Sequence, residues 1–350
     1  MTARAAVVLM AYGSPERLAD VPAYYADIRG GRPIRPELLQ DLVERYRRLG
    51  IEGGSPLNAI TEQTRAALER ELAGLDTGDS SAERKADAGD GSAAVDPAAA
   101  ADAAAAREAA DGSATGDAEA RTRTPAVPVF TGMKHWTPRI AEAAESALAT
   151  GARTVVGFVL APHYSRLSIG GYKQQLEDSI AGRAHLAFVD SWHDDSDFIA
   201  LLADRIRGTD AHVVFTAHSL PARILAEGDP YKDQLLETSH LVAEQARIPP
   251  DRWTFSFQSE SATGEPWLGP DILDHLAELH ERGVRDVLVC PVGFVADHLE
   301  IRWDLDHEAT DKARELGMNF ARIEMPNADP VFVRVLAKLV RQALRVPSEA

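Results

Sequence analysis

The sequence is poor in cysteine: one residue, Cys290, stands among 350, and it sits inside an apolar run. This scarcity excludes a disulfide framework and any site built from several thiolates. No stretch approaches the about 18 apolar residues of a transmembrane helix, and the N-terminus lacks the apolar segment of a signal peptide. We therefore expect a protein without a membrane span, located in the reducing cytoplasm.

Basic charge is also in short supply. The 37 Lys and Arg residues face 54 Asp and Glu, which gives a net charge of -17. No cluster of basic residues stands out on which phosphates could be bound, so the balance argues against a nucleic-acid partner and favours small or cationic ligands. The sequence also lacks HExxH, CxxC, GxGxxG, GxxxxGK[ST] and GxSxG, the motifs of zinc peptidases, thiol sites, dinucleotide and nucleotide binding, and serine hydrolases.

One segment, 74–124, departs from globular composition. Its large apolar side chains are Leu75 and Val95, and it carries 11 acids against 5 bases. Such a sequence cannot bury enough apolar area to offset chain entropy, so we predict a disordered acidic insertion and assign it no role. The rest of the chain is long enough for two domains with cores of their own.

The remainder alternates strand-like and helix-like runs, the pattern of parallel α/β domains. The runs form two sets of four, and the first strand of each set ends alike, in AYGSP (11–15) and AHSLP (217–221). This repetition puts Tyr12 and His218 at equivalent positions and favours a pair of similar α/β halves. The predicted strands are 5–12, 127–133, 154–162, 184–192, 212–219, 253–260, 286–294 and 320–326.

Three regions follow from this division: an N-terminal α/β lobe at 1–193 that contains the insertion, a C-terminal α/β lobe at 194–326, and a terminal helix and tail at 327–350. Ligands of open parallel sheets bind beyond the carboxyl ends of the strands. Polar residues at those ends therefore converge on one predicted cleft between the lobes. These residues are Tyr12, His163, His218 and the row 297–308.

The row consists of Asp297, Glu300, Asp304 and Glu308, whose spacing puts them on one face of an α-helix. A carboxylate row on a helix is ordinarily a solvated face, and like charges four residues apart repel each other. Its position after a buried strand favours a chemical role. Opposite His218, Glu300 would form a nitrogen and oxygen pair suited to a loosely held divalent transition metal. The alternative for His218 is a structural histidine at a strand end.

A second group of polar residues gathers near the N-terminus. Arginines and hydroxyl donors around a loop that leads into a helix form a receptor for carboxylates. The alternative is a set of exposed arginines on helices. The group consists of Tyr12, Arg29, Arg32, Arg45, Tyr46 and Ser55.

Eight stretches, in order along nearly the whole chain outside the insertion, resemble the ferrochelatases. The start MAYGSP resembles the bacterial branch that metallates coproporphyrin III. The stretches are VVLMAYGSP (7–15), GGSPLNAITEQ (53–63), GMKHWTPRI (132–140), VLAPHYS (159–165), TAHSLP (216–221), GDPY (228–231), FQSE with PWLGPD (257–260 and 266–271) and PVGFVADHLE (291–300).

The resemblance implies two flavodoxin-like (Rossmann-like) lobes with four-stranded parallel sheets, in the manner of chelatases, and a tetrapyrrole cleft between them. It implies that His218 and Glu300 form the catalytic pair that handles iron, and that Tyr12 ligates the metal from the opposite face in the product. The remaining assignments are Arg29, Ser55 and Tyr172 as contacts of the porphyrin propionates, Arg45 as a counter-charge, and Asp304 with Glu308 as a path for a hydrated cation or for leaving protons.

The activity implied is insertion of ferrous iron into coproporphyrin III, giving Fe-coproporphyrin III (coprohaem) in haem biosynthesis, with Fe2+ and the porphyrin as substrates. No permanent cofactor is expected. The single cysteine argues against the iron–sulfur cluster that many actinobacterial members hold. We expect a monomer with transient contacts to downstream enzymes of the haem pathway. The alternatives are a chelatase for protoporphyrin or cobalt, and a non-catalytic haem-binding protein that needs only an axial ligand such as Tyr12.

Overall fold

The computed structural model describes residues 5–32, 34–50, 55–74, 127–260 and 264–345, all of which belong to the unit formed by Met1–Leu75 and Pro125–Ala350. The predicted acidic insertion, apart from its first residue, lies outside the described residues. Among the described residues, no helix is long and apolar enough to cross a membrane.

The first sheet contains four parallel strands in the order β2-β1-β3-β4. Its central strand, β1, is buried along nearly its whole length, because helices cover both faces of a parallel sheet and leave no place for alternating polar residues. The strands are β1 (Ala5–Ala11), β2 (Val129–Met133), β3 (Thr154–Val159) and β4 (His185–Val189). The helices in this part of the chain are α1 (Val21–Ile28), α2 (Pro36–Arg48), α3 (Leu57–Leu72), α4 (Ile140–Ala149) and α5 (Ile169–Ile180).

The second sheet repeats this arrangement with the order β6-β5-β7-β8, again fully parallel. The prediction of two similar four-stranded α/β halves is therefore confirmed. The strands are β5 (His212–His218), β6 (Trp253–Gln258), β7 (Asp286–Cys290) and β8 (Asn319–Arg322). The helices are α6 (Ser196–Ile206), α7 (Tyr231–Ala246), α8 (Ile272–Glu281), a π-helix (Ile301–Ala309), α9 (Thr310–Glu315) and α10 (Pro330–Ala343).

Residues of both sheets share the largest apolar core, which includes Leu9 of β1 and Phe215 of β5. The last helix, α10, closes this core from the end of the chain and packs on α3 and α6. It begins at Pro330, where proline costs no hydrogen bond, and the Asp329 carboxylate accepts from the Val331 amide at 2.7 Å. The chain terminus thus returns to the first sheet, while the lobe boundaries at 193 and 326 stay a prediction.

Candidate active site

His218 and Glu300 come together at the carboxyl ends of the second sheet, with His218 Nε2 3.7 Å from Glu300 Oε1. His218 is the last residue of β5, and Glu300 immediately precedes the π-helix. The loop after β7 reaches this place by passing directly over β5 at Gly293. A Cβ atom at Gly293 would lie 2.5 Å from the Cβ of Ala217, so only glycine permits the approach that carries Glu300 to the histidine.

The His218 ring has a defined tautomer. Its Nδ1 contacts the carbonyl oxygen of Ser219, and since a carbonyl oxygen only accepts, Nδ1 carries the hydrogen. In the neutral ring Nε2 is therefore the basic nitrogen, and it is the atom that faces Glu300. Such an imidazole can accept a proton or bind a metal through Nε2 while its other nitrogen stays anchored to the backbone.

A second histidine, His298, flanks Glu300 from the other side. Its Nδ1 donates to the carbonyl oxygen of Ala296 at 2.9 Å, and its Nε2 lies 3.5 Å from Glu300 Oε2. Burial alone would lower the pKa of His298, but its contact with the Glu300 carboxylate outweighs this and raises the pKa. The motif DHLE contained the signal two residues before Glu300. Sequence reasoning missed it because it counted only carboxylates in this row.

Glu300 is correspondingly held in its ionised form. Its burial opposes ionisation, but His218, then His298 and Arg45, lower its pKa to about 2. The carboxylate thus sits between two imidazoles as a fixed negative charge. One nitrogen ligand and one carboxylate suit transient binding of a divalent transition metal with open coordination positions. No cluster of three or more metal-binding side chains was found in the described ranges.

The acidic row is only partly as predicted. Residues Ile301–Ala309 form a π-helix, whose wider turns still bring Glu300, Asp304 and Glu308 along one side. Asp297 lies before the helix and does not join them, because Arg322 of β8 binds its carboxylate at 2.8 Å. The predicted α-helical row of four carboxylates is therefore wrong in its helix type and in its first member.

Asp304 occupies the buried middle of this row, with 7% of its surface exposed. The Ser259 hydroxyl donates to its Oδ2, and the Gln258 amide donates to the same oxygen at 3.4 Å. Burial, followed by the neighbouring Glu300 charge, raises the pKa of Asp304 to about 7 in spite of the Ser259 hydrogen bond. The row therefore passes from an ionised carboxylate to one that exchanges a proton near neutral pH.

Tyr12 stands at the end of β1 with 41% of its surface exposed. Its ring centroid lies 4.6 Å from that of His135, whose Nδ1 is 2.9 Å from the Asp27 carboxylate, and Arg139 binds the same carboxylate at 2.9 Å. Partial burial, then the charges of Glu300 and Asp27, raise the pKa of Tyr12. The phenol is thus neutral and accessible within range of the Glu300 charge. Sequence reasoning missed His135, although it lies in the quoted stretch GMKHWTPRI.

The predicted carboxylate receptor is divided between open and buried residues. Arg29 follows α1 at the surface, and the Arg45 guanidinium lies 5.1 Å from the Trp303 ring centroid, above the π-helix. Ser55 is buried, and the Leu57 amide donates to its hydroxyl at 3.4 Å before α3 begins. Their common contact with a carboxylate ligand stays a prediction.

The two remaining tyrosines of the predicted site, Tyr46 and Tyr172, are buried. Tyr46 is 2% exposed and packs in a small core with Val21, and Tyr172 is buried under the Lys134 ammonium, 4.7 Å from its ring centroid. Their direct contact with a ligand stays a prediction. His163, which was predicted at the cleft, is instead buried with its Nε2 2.9 Å from the Thr238 hydroxyl.

Two matching parallel sheets and a histidine–glutamate pair at the strand ends define an α/β protein of the chelatase type. The family model described as Ferrochelatase matches residues 4–86 and 113–344. The chain therefore belongs to the ferrochelatase family, whose members insert ferrous iron into a porphyrin. The internal residues left unmatched, 87–112, lie inside the predicted insertion.

Related proteins cover nearly the whole chain. Ferrochelatase of Herpetosiphon aurantiacus is 38% identical over 353 residues, which cover 97% of this chain and 99% of the relative. Coproporphyrin III ferrochelatase of Halalkalibacterium halodurans is 36% identical over 349 residues, 97% of this chain and 96% of the relative. A more distant similarity is to the structure of SirB from Bacillus subtilis with Fe3+, at 13% identity and a TM-score of 0.49, covering 63% of this chain and 84% of that one.

Proposed function

We propose that this protein inserts ferrous iron into coproporphyrin III and so forms Fe-coproporphyrin III in haem biosynthesis. The observation that carries the proposal is the basic Nε2 of His218 facing the ionised Glu300 carboxylate at 3.7 Å. Several relatives that are 34–36% identical bear the name coproporphyrin III ferrochelatase. Arg29 at the surface after α1 and Arg45 on α2 support the same choice, because four propionates need more polar partners than two.

Two barriers limit the reaction. A flat porphyrin directs its nitrogen lone pairs into the ring plane, and hydrated iron must lose water before those nitrogens can bind it. A cleft that bends the ring exposes the lone pairs, and remote binding of the propionates offsets the strain. Arg29, Arg45 and Ser55 would supply that remote binding, with Tyr46 and Tyr172 supporting the walls around it.

The geometry supports a division of labour within the pair. Glu300, flanked by His218 and His298, is a fixed negative charge and suits the binding of the incoming cation. A carboxylate this acidic is a poor base near neutral pH, whereas an unprotonated imidazole at His218 can accept a pyrrole proton through Nε2. We therefore assign iron to Glu300 and proton removal to His218 Nε2.

Asp304 and Glu308 lead away from this pair along the π-helix. A carboxylate that exchanges its proton near neutral pH can pass on protons leaving the porphyrin, or it can guide a hydrated cation inward. Tyr12, whose neutral phenol lies at the end of β1, would ligate the metal from the opposite face in the product. The cytoplasmic location, the monomeric state, the absence of an iron–sulfur cluster and the contact with downstream haem enzymes stay predictions from the sequence.

Protoporphyrin IX is the second candidate substrate, because the Herpetosiphon relative and a Deinococcus relative at 36% identity are named simply Ferrochelatase. Mixing the protein with ferrous iron and each porphyrin under anaerobic conditions separates the candidates. We expect the metalloporphyrin absorbance to rise faster with coproporphyrin III. Faster metallation of protoporphyrin IX would overturn the substrate assignment. Binding of haem without any metallation would point to the haem-binding alternative.

A further inference from the structure

The loop between β3 and α5 is fastened to α7 of the other half by buried hydrogen bonds. Asp229, with 7% of its surface exposed, accepts the Ser165 hydroxyl at 3.0 Å and the Arg166 amide at 2.8 Å on one carboxylate oxygen. Its other oxygen accepts the Tyr231 amide at 3.1 Å. One carboxylate thus joins the loop after the first sheet to the first residue of α7.

Two further contacts reinforce this junction. The Tyr164 amide donates to the side-chain oxygen of Gln234 at 2.7 Å, and His163 is bonded to Thr238 at 2.9 Å. Gln234 and Thr238 lie one and two turns beyond Tyr231 on α7. The β3–α5 loop is therefore held along two turns of the helix, so a shift of the loop is transmitted to its N-terminus.

Tyr231 continues the connection towards the candidate active site. The residue is 8% exposed, and its hydroxyl donates to the carbonyl oxygen of His218 at 3.0 Å. The backbone amide of Tyr231 is fixed by Asp229 at the opposite end. The side chain thus spans the distance between the Asp229 carboxylate and the peptide that carries the His218 imidazole.

A buried phenol ordinarily finds some hydrogen-bond partner, so this bond alone does not indicate a functional role for Tyr231. What distinguishes Tyr231 is where the connection begins and ends. It begins at the Asp229 carboxylate, which accepts hydrogen bonds from the β3–α5 loop, and it ends at the backbone of His218. The proposed reaction requires His218 Nε2 to stay directed at Glu300. Small displacements of a reacting group reduce rates steeply, so the orientation of this peptide matters to the reaction.

We propose that Tyr231 is a positioning residue for His218, and that Asp229 makes this positioning depend on the packing of the β3–α5 loop. The inference rests on the proposed role of His218 in proton removal. It predicts a coupling between the two halves of the molecule: loosening the loop should disturb the imidazole through Asp229 and Tyr231.

The test compares Tyr231→Phe with Ser239→Ala. Ser239 lies on the same helix, is fully buried and also donates one hydroxyl hydrogen bond to a backbone carbonyl, that of Leu235 at 2.8 Å. We expect Tyr231→Phe to lower kcat roughly tenfold while KM for coproporphyrin III stays within about twofold. Ser239→Ala should leave kcat unchanged, although it should lower thermal stability about as much as Tyr231→Phe does. Equal kcat values for the two variants would reduce Tyr231 to a packing residue.

The loop end of the connection is tested by Ser165→Ala. We expect a smaller loss of kcat from this change alone and no further loss when it is added to Tyr231→Phe, because both act through one connection. Fully additive losses would refute the coupling.

A spectroscopic readout separates this inference from the proposed function. In protein carrying isotope-labelled histidine, the ring nitrogen signals of His218, assigned by their loss in His218→Ala, should shift in Tyr231→Phe and not in Ser239→Ala. If the wild type inserts no iron, the proposed function fails, yet the shift still tests the positioning. An unshifted His218 signal in Tyr231→Phe would overturn the inference whatever the activity.

Discussion

Replacing His218 by alanine removes the ring nitrogen to which we assign proton removal, Nε2, which faces Glu300 at 3.7 Å. The neighbouring imidazole of His298 is a weaker base for this step, because its contact with the Glu300 carboxylate raises its pKa and so favours the protonated ring, which has no lone pair to accept a proton. The loss should therefore be that of a general base, at least ~10²-fold in kcat. This corresponds to about 2.7 kcal/mol of lost transition-state stabilisation.

The assay follows metalloporphyrin absorbance under anaerobic conditions, with coproporphyrin III affinity measured separately by fluorescence quenching. Affinity should remain near that of the wild type, since the residues to which we assign binding of the propionates, Arg29, Arg45 and Ser55, are unchanged. Added imidazole should restore part of the rate in His218→Ala. His240→Ala, a change at an exposed histidine of α7, is the matched control and should have no effect. A His218→Ala protein that keeps most of its kcat would refute the assignment of proton removal to this residue.

Three further predictions concern the surrounding groups. Tyr12→Phe should change the spectrum of the ferric product more than the rate, and an unchanged spectrum would exclude Tyr12 as the axial ligand. Arg29→Ala should weaken the binding of coproporphyrin III by roughly 1–3 kcal/mol, and the binding of its tetramethyl ester much less. Equal losses of binding free energy for the acid and the ester would count against a propionate contact. Burial lowers the pKa of His212 to about 4, and that of His163 well below its usual value. As the pH falls, these histidines take up protons in the unfolded chain before they do so in the folded protein, so acid favours unfolding. The midpoint of urea unfolding should therefore fall as pH drops from about 6.5 towards 4, and it should fall less steeply in His212→Gln. Identical pH dependence of the two proteins would contradict this.

The architecture was accessible from the sequence because buried parallel strands are continuous apolar runs between polar turns. β1 and β5 are examples, and each was predicted to within one residue of its observed end. The predicted strand at 286–294 ended four residues too late, since apolar residues also line the loop after Cys290 that crosses β5 at Gly293. An apolar run alone cannot show where hydrogen bonding between strands stops.

The sequence predicted the site only for residues whose positions are determined by the ends of neighbouring strands. His218 ends β5 and Glu300 follows β7, and these are neighbouring strands of the second sheet, so the proximity of the two residues follows from the topology. The raised pKa of His298 and the exclusion of Asp297 from the row were not predictable, because they depend on partners supplied by the fold, such as Arg322 of β8. The burial of Tyr46 likewise depends on how α1 and α2 pack together.

The central claim is that the His218–Glu300 pair inserts ferrous iron into coproporphyrin III. The most direct measurement mixes wild-type protein, Fe2+ and coproporphyrin III anaerobically and records the absorbance of Fe-coproporphyrin III, in parallel with Glu300→Gln. We predict a catalytic, iron-dependent rise for the wild type and almost none for the variant, which keeps the shape of the side chain but loses its charge. Porphyrin binding without a rise in the wild type, or equal rates in both proteins, would contradict the claim.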